Sequence, residues 1–193
     1  MSRPNQGITI IELVLAIAMI AIISVVMTVI FGSTIRDLLK INTTMVNTNQ
    51  ELIALQRMQQ VVRSGTRITE ASDRKLTIYA YFSPQDATLS QVTYYYDSST
   101  KTLKADKIPA SGSAPNYVYN ASDKITIVLI SGYEQVGSLF AYYDASGNSG
   151  PFMIDQLKDI KRIMIFIHDK AVGSNKETQV QSSVIIRNRK VNY

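Results

Sequence analysis

The longest apolar run of the chain occupies residues 13–35, which are 23 consecutive positions without a charged side chain. A helix needs roughly 20 apolar residues to cross a bilayer, so the run predicts a membrane-spanning helix. Glu12 stands directly before it. Because a carboxylate in hydrocarbon costs about 2.5 kcal/mol or more, Glu12 must either lie at the membrane surface or have a partner.

The helical pattern continues beyond this uncharged run. Apolar residues recur at helical spacings while charged and amide side chains fill the other faces. The apolar stripe consists of Leu38, Ile41, Met45, Leu52, Leu55 and Val62. We therefore predict one helix over residues 8–64, with a membrane-spanning segment at 8–35 that is apolar all round and an amphipathic continuation at 36–64 that packs on a domain core.

Local signals set the end of this helix and a weak point inside it. Ser64 and Gly65 form a stop signal. The poor helix formers at residues 42–44 and 47–49 are expected to loosen the middle. A receptor-type juxtamembrane coiled coil is the alternative for residues 36–64, but the stripe is too short and too interrupted to favour it.

After Gly65 the hydrophobic period changes from helical to alternating. Leu76, Ile78 and Ala80, for example, share one face of a predicted strand. Strands are predicted over residues 75–82, 91–96, 102–104, 124–130, 139–143, 160–169 and 180–187. Turns or loops are predicted at residues 97–100, 107–123, 144–151 and 154–159. The predicted fold class is therefore α+β, with the long amino-terminal helix packed on an antiparallel sheet of six or seven strands in a globular domain at residues 65–193.

The composition limits the metal sites, disulfides and partners that the chain can have. The 193 residues include no cysteine, which excludes disulfides and thiolate metal sites. The net charge of +5 is mildly basic and too diffuse to indicate a nucleic-acid partner by itself. Eleven tyrosines and no tryptophan, together with abundant Thr, Ser and Asn, are typical of an exposed β-rich domain.

The amino terminus does not match an ordinary secretory signal. Such a signal has an apolar stretch of about 7–15 residues followed by a small-residue cleavage site, and the run here is longer. The leader at residues 1–7, MSRPNQG, is short and polar, and it ends in a glycine. Arg3 favours a cytoplasmic amino terminus, whereas Arg36 and Lys40 on the far side of the run weaken that preference.

Residues 7–12, GITIIE, carry a family resemblance. Gly7, Thr9, Glu12 and the long apolar run resemble the prepilin signature of type IV pilins and pseudopilins. In that family a membrane peptidase cuts after the glycine and methylates the new amino terminus, and the fifth mature residue is a glutamate. Counted from Ile8, Glu12 is the fifth, and Thr9 matches the usual second-position threonine. Ile8 stands where the family most often has phenylalanine.

The resemblance implies roles and partners for these residues. Cleavage between Gly7 and Ile8 would free an amine on Ile8, which is then methylated. Glu12, together with Thr9, would guide assembly, with the glutamate paired to the amine of a neighbouring subunit. The implied partners are other pilin subunits through the amino-terminal helix, the prepilin peptidase, the cytoplasmic membrane and an assembly platform. The alternatives are that Glu12 lies unpaired at the headgroups, and that the chain is a plain single-pass anchor with an uncut leader.

The second half resembles the larger minor subunits of the same superfamily, the W-type minor pilins and J-type minor pseudopilins. The segments that carry this likeness are residues 140–147, 160–165 and 183–188. They imply a minor subunit of a type IV pilus or related filament, with its carboxy-terminal domain outside the cytoplasm. A pseudopilin of a type II secretion system and a DNA-uptake (competence) pilin are the alternatives.

The sequence favours neither a catalytic site nor a metal site. His168 is the single histidine and stands beside Asp169, but a nominal triad with one of many serines carries little weight. Asp144, Ser146 and Asn148 offer oxygen ligands at alternate positions, yet the acidic positions and closing glutamate of a calcium loop are missing. We expect no enzyme activity, no cofactor and no metal, a solvent-exposed histidine, and a hairpin turn at Asp144.

One cluster could bind DNA. Tyr94, Tyr95 and Tyr96 could stack on bases, and nearby basic side chains could neutralise phosphates. The basic residues are Lys101, Lys104, Lys107, Arg187, Arg189 and Lys190. Since alternating tyrosines in strands usually pack on a sheet, DNA remains a secondary hypothesis.

Overall fold

The computed structural model describes residues 9–112, 116–170 and 177–186. The chain divides into two compact units, Met1–Asn47 and Thr48–Tyr193. The predicted leader and Ile8 lie outside the described residues. So do the basic residues Arg187, Arg189 and Lys190.

Helix α1 spans Ile10–Arg63, 54 residues, and confirms the predicted long helix. The backbone is helical through residues 42–44 and 47–49, where loosening was expected. Poor helix formers of this kind cost less than about 1 kcal/mol each in a helix interior, and an established helix propagates through them. At the carboxy end, the Ser64 and Gly65 amides donate to Val61 O and Val62 O at 3.0 Å, and such bonds tighten a last turn.

The described strands form two antiparallel sheets. The larger has the order β1-β2-β3-β4-β5, and the smaller has the order β6-β7-β8. Their bounds are β1 Arg67–Ala71, β2 Lys75–Ala80, β3 Ser90–Asp97, β4 Thr102–Pro109, β5 Ile125–Ser131, β6 Phe140–Tyr143, β7 Arg162–Lys170 and β8 Glu177–Ile185. Short 3-10 helices occur at Ala121–Asp123 and Ile154–Asp159. This is the expected α+β class.

Eight strands are therefore described where six or seven were predicted; β1 is the strand that was not predicted, and β4 is longer than expected. Strand β1 was missed because the register shift between Ile68 and Glu70 interrupts its alternation. Strand β4 is longer than the predicted 102–104, and its last residues occupy the start of the predicted loop at 107–123. The charged end of Lys107 pairs with Asp86, while Ala105 is buried.

A single buried cluster joins the end of α1 to both sheets within the second unit. From the helix it contains Ala54, Leu55, Met58, Val61 and Val62. From the sheets it includes Leu76, Ile78, Val92, Tyr94, Leu103, Phe140, Ile163, Ile165 and Ile167. The amphipathic prediction therefore holds for Leu55 and Val62. It is wrong for Leu52, which is 40% exposed. Leu38 belongs to the first unit, and the side chains of Ile41 and Met45 lie outside those described.

Gly65 provides a test of this packing. A Cβ atom built on it would lie 2.9 Å from Val62 O and would overlap the Ile78 side chain, which is fully buried. Because a core of this density cannot absorb an added methyl without displacement, we expect Gly65→Ala to lower the free energy of unfolding by about 1–3 kcal/mol. Urea unfolding of the full chain in detergent, followed by circular dichroism, measures the change.

Gly150→Ala is the matched control, because a Cβ atom there meets nothing within 4 Å. We expect its unfolding midpoint to equal that of the unsubstituted chain. Equal midpoints for Gly65→Ala and Gly150→Ala would show that α1 does not approach β2 as closely as described.

Candidate functional site: the start of helix α1

Helix α1 begins with a capping box formed by Thr9 and Glu12. The Glu12 amide donates to Thr9 Oγ1 at 3.3 Å, and the Thr9 amide donates to Glu12 Oε2 at 3.1 Å. Thr9 Oγ1 also donates to Glu12 Oε2 at 3.1 Å, and the Leu13 amide donates to Thr9 O at 3.2 Å. Threonine and glutamate three residues apart satisfy two amides that a helix start leaves unpaired, so this sequence sets the first helical residue at Ile10.

The capping box was missed at the level of sequence, although the threonine-x-x-glutamate spacing is a known start signal. Two arrangements were considered for Glu12, a pair with a neighbouring amine and an unpaired carboxylate at the headgroups. The structure shows a third, in which Glu12 binds its own chain. Of the four predicted site residues, Thr9 and Glu12 come together, while Gly7 and Ile8 lie outside the described residues.

The capping box leaves Glu12 able to bind a further donor. Both bonds from Thr9 reach the same oxygen, Oε2. An ionised carboxylate has about four acceptor sites on its two oxygens. A neighbouring ammonium group can therefore approach Oε1 without breaking the capping box.

Between Leu13 and Ile35, α1 carries no charged side chain on any side. The segment Ile10–Leu39, 30 residues, is long and apolar enough to cross a membrane. Its large side chains are exposed around the helix, with Ile17 at 59%, Ile22 at 66% and Val25 at 65%. Such a surface fits lipid or a bundle of similar helices.

The hydroxyl groups of this segment are satisfied within the helix itself. Ser24 Oγ donates to Ile20 O and Thr28 Oγ1 donates to Ser24 O, both at 2.8 Å. Ser33 Oγ and Thr34 Oγ1 both donate to Ile30 O at 2.9 Å. Since an unsatisfied polar group costs several kcal/mol in hydrocarbon, these bonds suit the segment to a water-free environment.

The three consecutive tyrosines do not form a stacking surface. Tyr94 is 1% exposed, and burial raises the pKa of its hydroxyl. Tyr95 Oη donates to Asp106 Oδ1 at 3.4 Å, and Tyr96 Oη donates to Tyr133 O at 3.1 Å. The expectation that tyrosines in strands pack on a sheet is confirmed for Tyr94.

The lysines near these tyrosines bind carboxylates of the same chain. Lys104 Nζ lies 2.6 Å from Asp97 Oδ2, and Lys107 Nζ lies 2.9 Å from Asp86 Oδ2. Lys101 Nζ and Glu134 Oε2 are 3.4 Å apart. These side chains are therefore not arranged as a set of open phosphate-binding cations.

The Asp144 loop is organised as a turn. Asp144 Oδ1 accepts hydrogen bonds from the Ser146 and Asn148 amides at 2.8 Å, and Oδ2 accepts one from Asn148 Nδ2 at 3.0 Å. Gly147 has φ +85°, which favours glycine. The Asn148 side chain, more than any other group, lowers the pKa of Asp144. These contacts confirm the predicted turn.

His168 and Asp169 are hydrogen-bonded to the neighbouring residues Gln135 and Glu134. Asp169 is 5% exposed, and its Oδ1 accepts the Glu134 amide at 3.1 Å. The His168 amide donates to Gln135 Oε1 at 3.3 Å, and its side chain is half-buried rather than fully exposed as expected. Among the described residues, no group of three His, Cys, Asp or Glu side chains is placed to hold a metal ion.

Comparison of the chain with protein-family models, with curated proteins and with solved structures gives no match. A functional interpretation must therefore come from the residues of this chain, and the start of α1 offers the most specific arrangement.

Proposed function

We propose that the chain is a type IV pilin-like structural subunit, of the minor kind, which is cut after Gly7 and assembled into a type IV pilus or related filament. The observation that carries the proposal is the start of α1. There Thr9 and Glu12, two residues of the GITIIE motif, are hydrogen-bonded to each other at the head of an apolar helical segment of 30 residues.

The helix suits both states of such a subunit, first inserted in the membrane and then packed in the filament. Its apolar surface suits a single-pass anchor in the cytoplasmic membrane, with the second unit outside the cytoplasm. The same surface suits a filament core in which helices of neighbouring subunits replace lipid. Its hydroxyl groups are hydrogen-bonded to carbonyls of the same helix, so they need no partner from lipid or from neighbouring subunits.

Glu12 would determine how neighbouring subunits align during assembly. An unpaired carboxylate among apolar helices is unfavourable, whereas a carboxylate beside an ammonium group is stabilised in low dielectric. Removal of the leader would create that ammonium on Ile8, four residues before Glu12 in sequence. The charge would therefore select the register in which one subunit's Glu12 meets its neighbour's amine.

A type II secretion pseudopilin would share these features and is the nearest alternative. The DNA-uptake alternative draws no support from the described lysines, because Lys101, Lys104 and Lys107 bind carboxylates of the same chain.

Cell fractionation tests the proposal. Shearing and ultracentrifugation separate surface filaments from membranes. We expect one pool of the chain to stay in the cytoplasmic membrane after a high-salt wash and a second, smaller pool to sediment with the filaments. A chain that high salt removes from membranes, or one that is absent from filaments that the same cells produce, would contradict the proposal.

A further inference from the structure

Strand β5 is an edge strand with exposed apolar side chains. It is last in the order of the five-stranded sheet and pairs with β4. No other described strand pairs with it. Ile125 and Val128 are 53% and 52% exposed. An edge of this kind presents a row of amides and carbonyls to which another strand can bind.

Residues 125–128 of β5 lack the usual protection of an edge. A bulge interrupts the pairing only at Leu129, since Leu103 pairs with Ile130 and Lys104 pairs with Val128. Natural edges also carry charges, prolines or short strands, whereas the sequence ITIVLIS has seven residues with neither charge nor proline. The nearest cation, Lys124, turns back to its own sheet, where Nζ lies 3.3 Å from Asp106 Oδ2. Thr126 Oγ1 also bonds Asp106, at 2.6 Å. At the opposite edge, the 3-10 helix Ile154–Asp159 packs against β1.

We propose that β5 is a self-association surface, at which the β5 strands of two copies of this chain pair antiparallel to join their sheets. An uncharged, β-branched strand is best matched by another of the same kind, because a charged partner would lose hydration without gaining an ion pair. Among the described strands, only β5 and the four-residue β6 lack charged side chains, and β5 is the longer.

The proposed contact is a small dimer interface that is weak in dilute solution. A two-fold contact uses both β5 edges and closes at a dimer. Two seven-residue strands bury less than the roughly 1,200–2,000 Å² of a typical stable interface. The contact is therefore weak in dilute solution, and it forms when membrane insertion holds two copies at high effective concentration. It does not depend on leader removal or filament assembly.

The absence of cysteine makes this proposal directly testable. Single cysteines replace Ile125, Thr126, Ile127, Val128 and Leu129 in turn in the full chain, and membranes that contain each variant are treated with an oxidant. Opposite residues of antiparallel strands lie about 4.5–5.5 Å apart between Cα atoms, within disulfide range. A residue two positions from the two-fold axis lies about 14 Å from its copy, which is too far.

We therefore expect disulfide-linked dimers to peak at a single β5 position and to fall by about tenfold two residues away on either side. The matched control is Val118→Cys, since Val118 is 55% exposed and lies outside the named strands. Equal crosslinking of Val118→Cys, a flat profile across β5, no dimer at any position, or links to a different protein would each overturn the proposal.

Discussion

Replacement of Glu12 with glutamine should lower the amount of the chain in filaments by about tenfold or more and leave leader removal intact. Glutamine can accept the same amide bond from Thr9, so the start of α1 is kept. What disappears is the negative charge, and the proposed amine of the neighbouring subunit then stays buried without a counter-ion. Breaking a buried pair in this way costs about 3–5 kcal/mol, so a large loss of assembly is expected.

Two further variants separate charge from helix capping. Thr9→Ala removes the hydroxyl of the capping box but keeps the carboxylate, and we expect it to assemble within a few-fold of the unsubstituted chain, because a cap contributes about 1 kcal/mol. Glu12→Ala removes the charge and the bonds that the carboxylate accepts from Thr9, and it should assemble no better than Glu12→Gln. Quantitative immunoblots of sheared filaments and membranes measure all three. Normal assembly of Glu12→Gln with failure of Thr9→Ala would show that capping is the role of Glu12.

Replacement of Gly7 with valine should block leader removal, so that the full-length chain accumulates in the membrane. A peptidase must bring its catalytic groups to the carbonyl of residue 7, and a residue without Cβ allows the closest backbone approach. A β-branched side chain at this position also restricts the backbone. We expect the rate of cleavage to fall by about tenfold or more, which corresponds to about 1.4 kcal/mol in the free energy of the transition state.

Gln6→Ala is the control for this experiment, since it alters the neighbouring leader residue and leaves the proposed scissile bond unchanged. Its cleavage should equal that of the unsubstituted chain. The two chain lengths are resolved by gel mobility and confirmed by mass. Ordinary cleavage of Gly7→Val, or equal losses in both variants, would show that the bond after Gly7 is not the one selected.

Hydrophobic periodicity was sufficient for the main features of the fold. The stripe that contains Leu55 and Val62 indicated a helix that packs on a core, and both residues are buried. Alternation found most strands, but it failed at β1, where the register shifts between Ile68 and Glu70. It also shortened β4, because the pairing of Lys107 with Asp86 is a tertiary contact that a local pattern does not contain.

The candidate site was only partly predictable. Glu12 stood out because a charge beside an apolar run needs an explanation, and the resemblance supplied roles for Gly7, Ile8 and Thr9. The bond between Thr9 and Glu12 could have been predicted from their spacing. In contrast, the burial of Tyr94 in the core and the pairing of the nearby lysines with carboxylates depend on which residues the sheet brings together.

Cleavage after Gly7 is tested by the intact mass and the amino-terminal peptide of the protein from its native membrane. We expect a mature chain that begins at Ile8 and carries one added methyl group on its amino terminus. A chain that still carries residues 2–7, in cells with an active prepilin peptidase, would show that it is not processed as a prepilin and leave a β-rich domain on an ordinary membrane anchor.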